Sequence, residues 1–416
     1  MLDPKMSRGG QMVSVGQNGF LFADPRSSME AVHNKKNTVK ELLMQRRQAY
    51  QSTEVDGNSH AHKLKSAKSE ASPADASHHL MEPPPPPTSP ANCNISTMFP
   101  PQNTSMQDQE SPAAAGKMTL FHWQIQQEAQ KAEGLSSEQL NMQDADGDTF
   151  LHIAVAQGRR ALAYVLAAKM ARCGSLDLKE HNGQTPLQIA AATNQHLIVQ
   201  DLLSHGAQIN TRDFWGRAPL HVCAEKGHVL SLQSIWRTLT GSGQPVDIEM
   251  FNYDGLTPLH VAVLSHNGVI KETRKLENPC SYIMMEMAQR RLMYVECIKI
   301  LMHMGASSGT MDLKSGRTCL HMAAEEANVE LFNVFLSQPA SLSTVNIKTF
   351  SGNTALHIVS SLQNHTNQVD TVKLLMRKGA DPGVRNFENE LPSQLVPEGP
   401  IGEKVRQILK GKFVHA

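Results

Sequence analysis

Apolar and polar positions divide the chain into two regimes. From about Met118 onward, apolar residues recur at i, i+3 and i+4, the spacing that gathers them on one face of a helix. "LFHWQIQQEAQKAEG" (120–134) reads as an amphipathic helix whose Trp123 either closes the end of the helical region behind it or meets a partner. "LIVQDLLSHGAQIN" (197–210), "VECIKILMHMGA" (295–306) and "VDTVKLLMRKGADP" (369–382) repeat the pattern. Each closes on a glycine, at 206, 305 and 379, the residue that most readily ends a helix in a left-handed conformation. Residues 1–116 behave differently: they hold 12 of the 22 prolines and only four aromatics, Phe20, Phe22, Tyr50 and Phe99. Such a segment buries too little apolar surface to offset its ordering entropy, and we expect it to be largely disordered. Pro83 to Pro87 form a stiff, extended run, and the boundary falls near Lys117.

Within 117–416 one phrase recurs, in units starting near 146, 181, 214, 253, 314, 350 and 387. The copies include "DGDTFLHIAVAQG", "HNGQTPLQIAAAT", "FWGRAPLHVCAEKG", "NYDGLTPLHVAV", "KSGRTCLHMAAEEA" and "FSGNTALHIVSSL", with a worn last copy, "FENELPSQLVP". Their glycines stand at 147, 183, 216, 255, 316 and 352, and Asn389 takes that place in the last unit. A fixed interval of this kind marks a repeat architecture. Each residue of the phrase has a structural task. Thr149, Thr185, Thr257, Thr318 and Thr354 fall where a helix N-cap accepts a backbone N–H. Pro186, Pro219 and Pro258 follow at the first helical position, where a missing N–H costs nothing. The next leucine faces the core. The phrase closely resembles the T-P-L-H motif of the ankyrin family, whose histidine bonds locally and to the neighbouring repeat. The resemblance implies an all-α, ankyrin-repeat solenoid of about seven helix pairs with β-hairpin fingers, behind a largely disordered N-terminal region. The glycine-to-glycine spacing of 61 between 255 and 316 implies an insertion within 265–294, which we expect to enlarge the loop between two helices.

Composition narrows the function. Net charge is zero, so the chain as a whole favours neither nucleic acid nor an acidic membrane. Six scattered cysteines with no C-x-x-C pair fit reduced thiols inside a cell rather than a disulfide framework or a zinc ribbon. No apolar run is long enough to cross a membrane, and no secretory pattern opens the sequence, so a soluble intracellular protein is expected. The phosphate-loop, zinc-protease and nucleophile-elbow motifs are all missing, so neither catalysis, a cofactor nor a metal is expected. A solenoid offers instead an extended concave surface for a protein partner. Phe214, Tyr253, Phe350 and Phe387 stand two positions before the finger glycine or Asn389, with Trp215 and Arg217 flanking the third. They are candidate interface anchors, or else they pack against the adjacent finger.

One short island interrupts the proline-rich half. In "NTVKELLMQRRQA" (37–49), Thr38 and Glu41 form a capping box, and Val39, Leu42 and Leu43 share a face. With Lys35, Lys36, Lys40, Arg46 and Arg47, the stretch is a basic amphipathic helix that would fold on a partner, or a transient helix plus a nuclear import patch.

Unit by unit, "DADGDTFLHIAVAQGRRAL", "KEHNGQ", "TNQHLIVQDL", "WGRAPLHVCAEKGH" and "LLMRKGADP" resemble the atypical nuclear branch of the inhibitor-of-NF-κB family over residues 118–412. Val39, Lys40, Glu41, Leu42 and Leu43 resemble the OCA motif of coactivators for octamer-binding POU factors. Residues 403–416 set Lys404, Arg406, Lys410 and Lys412 against Glu403 alone, and such a stretch does not repel DNA phosphates. The resemblance thus implies a nuclear transcriptional co-regulator whose repeats bind NF-κB homodimers lacking an activation domain. It implies contact with DNA mainly through NF-κB, recruitment of transcriptional coactivators and POU factors, and no membrane. The alternatives are a cytoplasmic inhibitor that retains NF-κB and a generic ankyrin adaptor.

Overall fold

The computed structural model describes residues 118–337, 341–363 and 365–411. The expected N-terminal disorder, the OCA-like motif and the basic patch of Lys35, Lys36, Arg46 and Arg47 lie outside these residues. The described chain is helical. α1 (Leu120–Lys131) and α2 (Ser137–Asn141) precede the repeats. Six helix pairs come after them. The first three are α3 (Phe150–Gln157) with α4 (Arg160–Arg172), α5 (Pro186–Ala192) with α6 (His196–Ser204), and α7 (Pro219–Lys226) with α8 (Val229–Ser242). Then come α9 (Pro258–Lys275) with α10 (Ser281–His303), and α11 (Cys319–Ala324) with α12 (Val329–Leu336). After the short α13 (Ser341–Thr344), the last full pair is α14 (Ala355–Ser360) with α15 (Gln368–Arg377), and α16 (Pro400–Leu409) ends the array.

The expected leucines, 151, 187, 220, 259, 320 and 356, are at most 1% exposed and belong to one core that runs through every pair. The N-terminal end of this core is closed by Leu140 of α2, with Leu135 packed against it, while Trp123 stays half exposed. The seventh unit keeps only one turn of its first helix, Pro392–Gln394, and Pro397 disfavours helix just beyond it. Among the described residues the fingers form no strands. Each is a tight turn joined to the next by a single backbone hydrogen bond, such as Phe214 N–H to Asn182 O at 3.1 Å.

The insertion corrects the expectation of an enlarged loop. α9 has 18 residues and α10 has 23, and only residues 276–280 join them. Within that stretch the sole strong breakers are Asn278, at φ 51°, and Pro279, so the chain stays helical up to them on both sides. Val269, Met287 and Tyr294 form a small core of their own between the two helices. The pair is pinned to the next repeat: Asn267 donates to Met322 O at 2.7 Å, and Arg274 and Arg291 bind Glu326 and Glu330 at 2.7 and 2.6 Å.

What fastens one repeat to the next is the motif histidine. In His152, His221, His260, His321 and His357, Nδ1 accepts the N-cap backbone N–H at 3.0–3.2 Å. Nε2 lies 2.9–3.3 Å from a carbonyl oxygen of the following repeat: those of Gln184, Leu256, Thr310, Asn353 and Glu390. An amide only donates and a carbonyl only accepts, so each ring is neutral with its hydrogen on Nε2. Gln188 makes the same two bonds with an amide, at 2.9 and 2.7 Å.

Burial pushes His152, His221 and His321 from 6.5 down to about 4, and lowers His260 and His357 as well. Between pH 6.5 and 4 the unfolded chain therefore takes up protons that the fold refuses. Stability falls as pH drops through that window, by up to roughly 3 kcal/mol for each of those three rings. Urea denaturation at pH 7.5 and 5 should show the loss. His321→Gln, which copies residue 188, should keep the neutral-pH midpoint and reduce the pH dependence. His321→Leu orphans a buried donor and a buried acceptor and should cost about 2–4 kcal/mol.

A candidate protein-binding face on the fingers

Each finger turn is organised by one polar side chain at its base. Asp213 accepts from the N–H groups of Trp215 and Arg217 at 3.0 and 2.8 Å. Asp144, Glu180 and Asp312 do the same in their own fingers, as does Asn386 for Glu390 N–H. The turn then needs a left-handed residue: Gly216 at φ 75°, and Asn389 at φ 64° in the last finger.

The bare glycine also serves the next finger. A Cβ added to Gly216 would lie 2.6 Å from the Tyr253 ring, and one on Gly183 the same distance from that of Phe214. Phe350 sits against Gly316 in this way, Phe387 against Gly352, and His181 against Gly147. The rings thus lie on the preceding finger with one face, yet remain exposed: Phe214 65%, Tyr253 67%, Phe350 58%, Phe387 72%. Packing against the neighbour and presentation to solvent coexist in the same side chains. The result is a row of apolar plates along one edge of the array.

The fifth finger carries Leu313, 60% exposed, against Gly255. It stands three positions before its glycine rather than two, so the two-position rule selects Lys314 there, which instead pairs with Asp254 at 2.8 Å.

Arg217, also a candidate anchor, is bracketed within its own repeat. It bonds Asp213 at 2.9 Å and Glu225 at 2.8 Å, and its guanidinium lies 4.8 Å from the Trp215 ring centroid. The arginine therefore holds Trp215 in place, and the tryptophan, 51% exposed, presents the surface. Arg317 repeats the bracket with Asp312 and Glu325. Glu225 and Glu325 each lie eight residues past their arginine, on the first helix of the repeat or at its end, a spacing with no short-range signature.

Nothing in this geometry suggests chemistry. Burial pushes the Cys297 thiol up to about 12 and the Cys223 and Cys319 thiols higher still, which makes them inert packing groups. Among the described residues no cluster of side chains could hold a metal ion. A second exposed apolar surface, unanticipated from the sequence, lies on α10: Tyr282, Met284, Met285, Leu292 and Met293.

Comparison with known proteins places this array in company. The family model described as ankyrin repeats (3 copies) matches residues 113–213 and 284–386. NF-kappa-B inhibitor zeta of Homo sapiens is 51% identical over 368 residues, 88% of this chain and 49% of that protein. NF-kappa-B inhibitor delta of Mus musculus is 41% identical over 278 residues, 66% of this chain and 81% of that protein. The chain thus spans about half the length of the zeta protein. The crystal structure of the ankyrin repeat domain of Bcl-3, a member of the IkappaB family, is 30% identical, with a TM-score of 0.49 over 63% of this chain and 99% of that one.

If the finger glycine is there to seat the next ring, Gly216→Ala should be costly. It forces a side chain into φ 75° and into Tyr253, and should destabilise the array by at least about 2 kcal/mol in urea titration. Tyr253→Ala, which only removes a half-exposed plate, should lose less than half of that.

Proposed function

The chain belongs to the NF-κB inhibitor family of ankyrin-repeat proteins, and from that premise we propose that it is a nuclear transcriptional co-regulator that binds NF-κB dimers through its fingers. As a member of that family it is not an enzyme. The observation that carries the proposal is the row of exposed rings, Phe214, Tyr253, Phe350 and Phe387, each lying against the glycine of the preceding finger, with Trp215 held by Arg217. Rigid aromatic plates lose little entropy when a partner covers them, and such side chains dominate the energetics of interfaces.

The partner is an NF-κB homodimer whose subunits lack an activation domain. The protein remains on DNA-bound NF-κB instead of stripping it off. In support, residues 403–416 carry four basic side chains against one acidic, so this part of the chain does not compete with DNA phosphate. Residues 37–49 serve as a docking element for transcriptional coactivators or an octamer-binding POU factor. The names of the relatives, which call them inhibitors, favour a second reading in which the chain retains NF-κB away from DNA.

A gel shift separates the two. With a κB duplex and the homodimer, the co-regulator gives a slower ternary band, and the inhibitor removes the protein–DNA band. No change in either band leaves only a generic adaptor. Phe214→Ala with Tyr253→Ala should weaken the ternary complex at least about tenfold, since each truncated anchor costs on the order of 2 kcal/mol. Imaging of a tagged full chain should find it in the nucleus, and steady exclusion would be incompatible with co-regulation.

A further inference from the structure

The fingers carry a second column of side chains beside the rings. From Glu180 in the second finger to Asn386 in the seventh, the residue at the finger base is at most 8% exposed. Successive side chains of an extended arm point to opposite sides, so the residues before and after each base emerge together on one face. After the base come the rings and Leu313. Before it stand Lys179, Arg212, Phe251, Met311, Lys348 and Arg385. At Gly316 the two columns visibly share a face: a Cβ added there would lie 2.9 Å from Met311 Cε and 2.5 Å from the Phe350 ring.

The order of this inner column is cation, cation, apolar, apolar, cation, cation, which reads alike from either end and is centred between the fourth and fifth fingers. The long insertion does not break it there, since Leu313 N–H reaches Gly255 O at 3.1 Å, the kind of bond that joins the other fingers. The four cations are exposed, and none has an ion-pair partner among the described residues. Lys179, Lys348 and Arg385 each donate to a backbone carbonyl, at 2.7, 2.9 and 2.6 Å, which leaves their charge uncompensated. The carboxylates at the finger bases are buried and hydrogen-bonded to the turns. Those exposed at the tips are Asp146 and Glu388, in the two outermost fingers, and Asp254, which pairs with Lys314.

Uncompensated cations on an exposed face are complementary to carboxylates of a partner, and the apolar centre decides which class of partner fits. A nucleic-acid backbone is charged along its whole length and would set phosphate against Phe251, Met311, Tyr253 and Leu313. A protein surface with acidic patches on both sides of an apolar seam matches all six positions. The centres of the two basic pairs are four repeats apart, about 32–40 Å at roughly 8–10 Å between packed helices. A small domain is about 30 Å wide, so equivalent points on two domains side by side have a similar separation. A two-fold dimer presents one patch twice at such a spacing.

We propose that a protein dimer with two-fold symmetry sits astride the fingers, its axis between the fourth and the fifth. An acidic patch of one subunit meets Lys179 and Arg212, and the same patch of the other meets Lys348 and Arg385. The apolar seam between the subunits covers Phe251 and Met311. This rests on the reading of an NF-κB homodimer as partner, and adds to it an orientation, one array per dimer, and the charge of the surface contacted.

Calorimetric titration of the full chain into the NF-κB homodimer, with and without a κB duplex, tests it. One array per dimer is expected. Lys179→Glu with Arg212→Glu, and separately Lys348→Glu with Arg385→Glu, should each weaken binding at least about tenfold and by similar factors, duplex or not. Arg237→Glu reverses an exposed charge on α8 and should change nothing. Circular dichroism checks that each variant is folded, and Arg212→Gln and Arg385→Gln, which remove charge without reversing it, should repeat the comparison with smaller losses. Overturning results are a loss at one end only, two arrays per dimer, or end variants that bind like the unaltered chain. A loss seen only with the duplex present would also overturn it, and would make DNA phosphate the ligand. An unaltered chain that binds no homodimer overturns the NF-κB reading and this inference with it, whereas the preceding outcomes leave that reading standing.

Discussion

The array depends on one small interaction repeated: a neutral imidazole that caps its own helix with one nitrogen and grips the next repeat with the other. Both partners are backbone groups of fixed polarity, so the ring has no freedom in its tautomer. Buried without these bonds, an N-cap donor and a finger carbonyl would each carry a desolvation cost on every repeat. With them, the turn that launches each helix is tied to the finger of its neighbour. The position of every finger is therefore set by the helix stack behind it, which is why side chains at the finger edge can be both exposed and well placed.

Much of this is legible in the sequence. The proline, leucine and histidine of the recurring phrase take their expected tasks, while the threonine hydroxyl accepts the helix N–H at 149, 185 and 257 and meets the histidine ring at 318 and 354. The form of the insertion is not legible, because its spacing reveals extra length and nothing about shape. Apart from Gly268, its breakers are confined to Asn278 and Pro279, so both helices simply continue. The outward face of α10 is hidden for a related reason. Met284 and Met285 stand close to buried Met287, and a helix apolar on both sides shows no polar face by which to orient it.

At the fingers, the sequence reveals the rings but not their supports. Phe214 and Tyr253 stand at a constant offset from glycine, whereas Leu313 is shifted by one position and drops out of the pattern. Arg217 reads as an anchor since nothing local points to Glu225. Long-range pairs of this kind leave no periodic trace, and only the folded backbone brings them together. The family relationship comes from the wording of whole units, which is far richer than the shared motif.

Gln188 has one more implication. An amide does not titrate in the range where imidazoles do, so the motif contact from the second repeat to the third is indifferent to acid while the five histidine contacts are not. That seam also holds His228, whose ring meets Ala191 O and is lowered by burial too. In a linear array, where each unit leans only on its neighbours, a weakened seam opens locally. Mild acid should thus weaken the five histidine contacts and leave this one intact, so the solenoid loosens unevenly along its length.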